Sequence, residues 1–148
     1  MPLDNAQLAT LDAALARLIP SDDGEPGARE AQVIRYVERA LEGVHSAHLA
    51  AYRQGLRDLD ELALARFGAA FAALADARQD AVLRDAERAH ADFFELARLH
   101  AIEGMFGDPR WGGNAQLAGW RLLGYAGPRA VVEETEQRLE LPFAGGSA

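Results

Sequence analysis

The chain of 148 residues contains no cysteine, and its fifteen basic residues are all arginine, with no lysine. Without cysteine there is no disulfide, no thiolate metal site and no cysteine nucleophile. Without lysine there is no Schiff-base chemistry and no phosphate-gripping lysine of the P-loop kind. Positive charge is scarce overall, with a formal net charge of −8. A chain of that sign is a poor nucleic-acid binder, because phosphate contacts need clustered positive charge. No apolar run approaches the roughly eighteen residues of a membrane-spanning helix. The N-terminus, Met1-Pro2-Leu3-Asp4-Asn5, has no basic segment followed by an apolar one, so no signal peptide is expected and the chain as encoded is expected in the cytoplasm. Sustained period-two alternation with β-branched residues is missing too, which argues against a sheet.

What remains is helical patterning. Asp4 or Asn5 can cap a first helix carrying Leu8, Leu11, Leu15, Leu18 and Ile19, stopped by Pro20. The polar stretch from Ser21 to Gly27 is built from turn residues. From Ala28 a second helical pattern places Val33, Ile34, Val37 and Leu41 on one face, with Gly43 as its stop. A third helix is expected from about Ser46 to Gly68 through Tyr52, Leu56, Leu59 and Leu62, followed by a short apolar turn at Phe71 and Leu74. Asp76 with Gln79 three residues later suggests a variant capping box. It opens one long helix with Val82, Leu83, Ala86, Phe93, Phe94, Leu96 and Leu99 as core candidates, running out at Gly104 to Gly107. Asn114 can cap a short helix with Leu117, Trp120 and Leu123 on its inner face, and Pro128 can open a last one through Val131, Val132 and Leu139. The expected fold is all-α: a single domain over residues 1–148, five to seven helices around one core, one long Gly/Trp-rich loop, and a frayed tail over about 140–148.

The loop is the anomaly. Residues 103–120, EGMFGDPRWGGNAQLAGW, hold both tryptophans and five of the fourteen glycines. A phosphate cradle fails its context test, since no strand precedes the glycines, no Gly-x-Gly-x-x-Gly is present and no lysine follows. The four histidines raise a metal question. Glu42-Gly-Val-His45 and Glu87-Arg-Ala-His90 are both Glu-x-x-His, the spacing that aims a carboxylate and an imidazole from one helix face at a shared metal in di-iron bundles. Such a site also needs a glutamate from each of two further helices, and Glu30 and Glu61 are poorly placed to supply them. Both motifs are therefore read as surface helix, and replacing His45 and His90 is expected to leave function unchanged. His45-Ser-Ala-His48 is an i, i+3 pair that two partly exposed histidines explain as well as a ligand pair does. His100 sits late in the long helix, near the glycine loop. Ser21, Ser46 and Ser147 lack any nucleophile context. Phe93 and Phe94 lie about 100° apart on a helix, so either one faces the domain and one a partner, or a broad core stripe takes both.

Two segments, IPSDDGEPGAREAQVIRYVERAL (residues 19–41) and FFELARLHAIEGMFGDPRWGGNAQLAGWRLLGYAG (residues 93–127), resemble the gluconate 2-dehydrogenase subunit 3 family. The matching points are Pro20, Gly27 and Ala28, then Phe93, Phe94, Glu103, Gly104, Asp108, Pro109, Gly112, Gly113, Asn114, Gly119, Trp120 and Gly124, with Tyr52, Leu56, Phe71 and Leu74 between them. The chain has Ala126 where the family often has proline. The resemblance implies a non-catalytic small subunit of a heteromeric FAD-dependent sugar, glycoside or polyol dehydrogenase, of the kind that includes glucoside 3-dehydrogenases. The small subunit would support folding, stability or assembly of its partner. That partner is a large subunit of the glucose-methanol-choline oxidoreductase type, which would hold the FAD, with a cytochrome c subunit as a further member. This chain would itself carry no cofactor, no metal and no catalytic residue. Many relatives carry a twin-arginine leader that this chain lacks, so the complex is expected in the cytoplasm, or in the periplasm if exported with a partner or if a leader was trimmed. The competing reading from the residues alone is a stand-alone di-metal carboxylate protein using the two Glu-x-x-His motifs.

A subunit needs an interface, and the loop offers large anchors beside flexible backbone. Phe94, Met105, Phe106, Asp108, Pro109, Trp111, Gly112, Gly113 and Asn114 are the expected partner-facing residues, the glycines letting backbone approach a partner closely. Trp120 is expected to point inward from its helical spacing with Leu117 and Leu123. Trp111, between Arg110 and Gly112 with no helical register, is expected at the interface.

Overall fold

A computed structural model describes residues 2–128. The last helix expected from Pro128 and the frayed tail lie outside the described residues. Within them are six α-helices and no strand. α1 spans Asn5–Leu18, α2 Val33–Glu42, α3 Leu49–Phe67, α4 Asp76–Ala89, α5 Ala91–Phe106 and α6 Ala118–Leu122.

α1 begins as its sequence suggests. The Asp4 carboxylate accepts from the Gln7 amide at 2.8 Å, and the Gln7 side chain accepts from the Asp4 amide at 3.1 Å, which satisfies two orphan donors reciprocally. Its buried face, Leu11, Ala14 and Leu15, meets α3, α4 and α5. The loop after Pro20 is clamped by Glu30, whose Oε2 accepts from Ser21 Oγ and from the Gly27 amide, each at 2.8 Å. Glu30 is thus a loop fastener.

α2 starts five residues later than its apolar pattern suggests. Gln32 sits in the left-handed region at φ 53, so the segment from Ala28 to Gln32 forms turns instead of helix. α2 then packs closely on α5: a Cβ added to Gly104 would come within 2.8 Å of Val33 Cγ1. α3 ends as expected, with Gly68 at φ 74 supplying the left-handed C-terminal cap, while Ser46–His48 at its expected start form a 3-10 turn.

The largest departure is the break of the expected long helix at His90 (φ −135, ψ 50) into α4 and α5. Neither glycine nor proline marks it. Unbroken, the 31 residues from Asp76 to Phe106 would extend about 46 Å at 1.5 Å per residue, far beyond the core they must cover. Broken, both halves pack on α1, on α3 and on each other. The expected capping box at Asp76 does not form: no side chain caps α4, Asp76 pairs with Arg17 at 2.8 Å, and Gln79 turns inward to donate to the Phe71 carbonyl at 3.1 Å. Arg17 also grips Asp80 through two hydrogen bonds of 2.7 and 3.0 Å, joining α1 to α4.

Phe93 and Phe94 both belong to the core stripe. Phe93 lies over Gly55, where no Cβ fits, and meets the Tyr52 ring edge-on at 5.6 Å. Phe94, expected to face a partner, packs beside it against the buried cluster and is half-buried in the domain. Leu99, expected in the core, is 50% exposed.

One carboxylate joins three distant segments. Asp60 on α3 accepts from Thr10 Oγ1 of α1 at 3.2 Å and from the amide of buried Phe71 at 2.9 Å. Asp60→Ala is expected to lower unfolding stability by about 2–3 kcal/mol, since it leaves a buried donor unpaired. Asp60→Asn keeps an acceptor and is expected to recover more than half of that loss. Denaturant melts of both variants check the ordering.

Candidate functional site

Two features stand apart from ordinary helix packing, and both are anchored on α5. The first is the glycine-tryptophan loop. It folds back over the C-terminal turn of α5 and satisfies the carbonyls a helix end leaves unpaired. The Asn114 amide donates to the Gly104 carbonyl at 2.7 Å, Asn114 Nδ2 to the Gly107 carbonyl at 2.9 Å, and Trp120 Nε1 to the Phe106 carbonyl at 2.7 Å. Asn114 Oδ1 in turn accepts from the Gly119 amide at 2.8 Å and caps α6 from outside it. The Ala115 amide donates to Ala31 at 2.9 Å, tying the loop to the turns before α2.

The glycines follow from this docking. A Cβ on Gly113 would overlap the Gly104 carbonyl oxygen, and one on Gly119 would overlap that of Met105. They permit backbone-on-backbone contact inside the domain, where the sequence suggested approach to a partner. Met105, Gly113 and Asn114, expected at an interface, are buried in this chain. The helix expected from Asn114 is also shorter. Asn114, Gln116 and Leu117 all have positive φ (47, 54 and 59), so α6 begins only at Ala118. Trp120 is buried at 9% exposure as expected, while Leu117 and Leu123 face outward. A left-handed leucine costs about 1–2 kcal/mol, offset here by the Asn114 hydrogen bonds and the burial of Trp120.

Of the remaining candidates, Phe106, Asp108, Pro109 and Gly112 are half-buried. Asp108 caps the 3-10 turn Pro109–Trp111 by accepting from the Arg110 amide at 3.0 Å. That turn holds Trp111 outward, 51% exposed, with the Arg110 guanidinium 5.3 Å from its ring centroid. Arg39 donates to the Arg110 carbonyl at 2.8 Å and fixes the turn on α2. Trp111, Tyr36, Arg39, Ala40 and Val44 line an open groove of about 400 Å³. Val44 is 83% exposed, so the groove has an apolar rim as well as an aromatic wall.

The second feature is a cluster of three imidazoles. His45 and His48 come from the turn between α2 and α3, and His100 from the buried face of α5. The rings of His45 and His100 stack at 4.6 Å, and His48 lies 5.4 Å from each. One nitrogen from each of the three lies within 4.8 Å of the others. Polar neighbours lie against two of the rings. Tyr52 Oη and His100 Nδ1 share a hydrogen bond of 3.0 Å, and the two rings stack at 5.6 Å. Glu103, one turn beyond His100, accepts from Tyr36 Oη at 2.6 Å and faces His45 Nε2 at 3.7 Å. His100 is 1% exposed. Burial, reinforced by neighbouring His45, pushes its pKa down to about 4, so it is neutral near pH 7. His48 Nδ1 is buried with no hydrogen-bond partner.

The sequence treated His45 as a surface residue. The structure places it half-buried against His100 instead. The two Glu-x-x-His motifs do not assemble: Glu42 and Glu87 are exposed and outside the cluster, and His90 pairs with Asp58 of α3 at 3.4 Å. What sequence reasoning missed is the meeting of His100 with the His45–His48 pair. Fifty-two positions separate them, and only the packing of α5 against α2 and α3 brings them together.

The chain matches a family model described as gluconate 2-dehydrogenase subunit 3 over residues 5–127, which takes in every described helix. No curated protein and no solved structure matches it.

Asn114→Ala removes the acceptor for the Gly119 amide and the donor to the Gly107 carbonyl, and is expected to lower stability by about 2–4 kcal/mol. Gly113→Ala is expected to cost about 3 kcal/mol or more, because backbone cannot yield as a side-chain tip does. Thermal or urea melts test both. A stable Gly113→Ala protein would refute the close docking of loop on helix.

Proposed function

The chain belongs to the gluconate 2-dehydrogenase subunit 3 family, and from that membership we propose that it is the non-catalytic small subunit of a heteromeric FAD-dependent dehydrogenase acting on a sugar, glycoside or polyol. In this reading a glucose-methanol-choline type large subunit carries the FAD and performs hydride transfer, with a cytochrome c subunit as an electron acceptor. The present chain supports folding, stability or assembly of the large one.

The observation that favours docking is Trp111. An indole half-exposed on a rigid turn, beside a groove and an exposed valine, is the kind of anchor that carries binding energy when a partner covers it. The turn is capped by Asp108 and fixed to α2 by Arg39, so the ring is presented with little ordering cost on association. Phe106, Asp108, Pro109 and Gly112 then serve as the support of the anchor, with Tyr36, Arg39 and Val44 as the groove beside it.

Trp111→Ala is expected to weaken co-purification with the flavoprotein by roughly 30- to 800-fold in affinity, the equivalent of about 2–4 kcal/mol at tenfold per 1.4 kcal/mol. Its melting temperature should stay near that of the parent. Trp120→Ala should instead destabilise the domain by about 3–5 kcal/mol. Undiminished association of Trp111→Ala would move the interface to another face.

The purified chain is expected to be colourless and inactive as a dehydrogenase, because its described residues offer no strand-and-glycine dinucleotide site. An FAD absorption band in the chain alone would overturn the non-catalytic assignment.

A further inference from the structure

We propose that His45, His48 and His100 together bind one divalent first-row transition-metal ion of the zinc type, tying the turn between α2 and α3 to the middle of α5. The donor chemistry fits: three neutral imidazoles suit zinc, copper, iron or nickel, and neither magnesium nor calcium favours an all-nitrogen set. Position fits as well, since one nitrogen of each ring already lies within 4.8 Å of the other two. Nitrogens bound tetrahedrally at about 2.0–2.1 Å stand roughly 3.3 Å apart, so the rings must swing inward and out of their present stack. His45 and His48 are free to do this: they are half-buried on a 3-10 turn and no regular helix fixes their side chains.

One of the three rings already has the outer hydrogen bond typical of ligating histidines, and a second faces a carboxylate. His100 Nδ1 is held by Tyr52 Oη at 3.0 Å and His45 Nε2 faces Glu103 at 3.7 Å, leaving the second nitrogen of each ring for the ion. His48 supplies the independent sign. Its Nδ1 is buried beside the other two rings without any hydrogen bond, an arrangement that costs about 1–3 kcal/mol unless something satisfies it. With three protein ligands, the fourth position is left for water. Of the two Glu-x-x-His motifs the site takes only His45, since Glu42, Glu87 and His90 all lie outside it.

The test uses the full chain, stripped with chelator and then titrated with Zn²⁺ against a competing chelator, and separately with Co²⁺ to read visible ligand-field bands. One equivalent of each should bind, with the melting temperature rising as Zn²⁺ saturates. His48→Ala should weaken binding at least about 100-fold, since even the outer partners of ligating histidines contribute 10- to 100-fold. His48→Gln, which keeps the size of the side chain, should do the same and guards against a folding defect. His90→Ala, the fourth histidine, should bind as the parent does. The proposal is overturned if the parent takes up no stoichiometric ion, or if His48→Ala and His48→Gln bind Zn²⁺ as tightly as the parent. Trp111→Ala retains all three imidazoles, so this experiment and the docking experiment fail independently.

Discussion

The backbone of Gly113 and Gly119 lies directly on the last turn of α5, and the remaining architecture is arranged around that contact. Helix ends expose carbonyls that must find donors. Here the donors come from a loop that crosses the helix end at a distance only glycine tolerates. Asn114 is fully buried and works in both directions: it donates to carbonyls at the end of α5 and accepts from the first amides of α6. Once that plug is seated, Trp120 fills the space beneath it and bonds the Phe106 carbonyl. The turn Pro109–Trp111 is left on the outside as the crest of the loop.

The same helix fixes the interior. Gly104 admits Val33 and Tyr36 of α2, while Phe93 sits over Gly55 of α3. Two glycines thus set how closely α2 and α3 approach α5. That spacing brings the turn between α2 and α3 over His100. The histidine cluster is therefore a product of helix packing, as the outward pose of Trp111 is a product of the loop.

Much of this was legible from residue patterns. The all-α class, a helix cap at Asp4 or Asn5, the stop at Gly68, the apolar turn at Phe71 and the burial of Trp120 all follow from local chemistry. The misreadings share one cause, which is tertiary demand overriding local preference. His90 interrupts a segment with strong helical spacing and no breaker residue, because one straight helix is too long for the core. Gln32 and Leu117 adopt left-handed backbone that their side chains disfavour, so two helices begin later than their apolar patterns suggest. Glycine was correctly singled out and wrongly explained: composition marks close backbone approach, and only the fold says whether the neighbour is a partner or the domain's own helix.

Tyr36 links the two surface features that packing creates. Its ring lines the groove beside Trp111, and its hydroxyl donates to Glu103, the carboxylate facing His45. Burial and the Glu103 charge both hold that phenol in its protonated form, so it remains a donor across the ordinary pH range. The hydrogen bond from Tyr36 to Glu103 is thus a direct link between the wall of the groove and the edge of the histidine cluster.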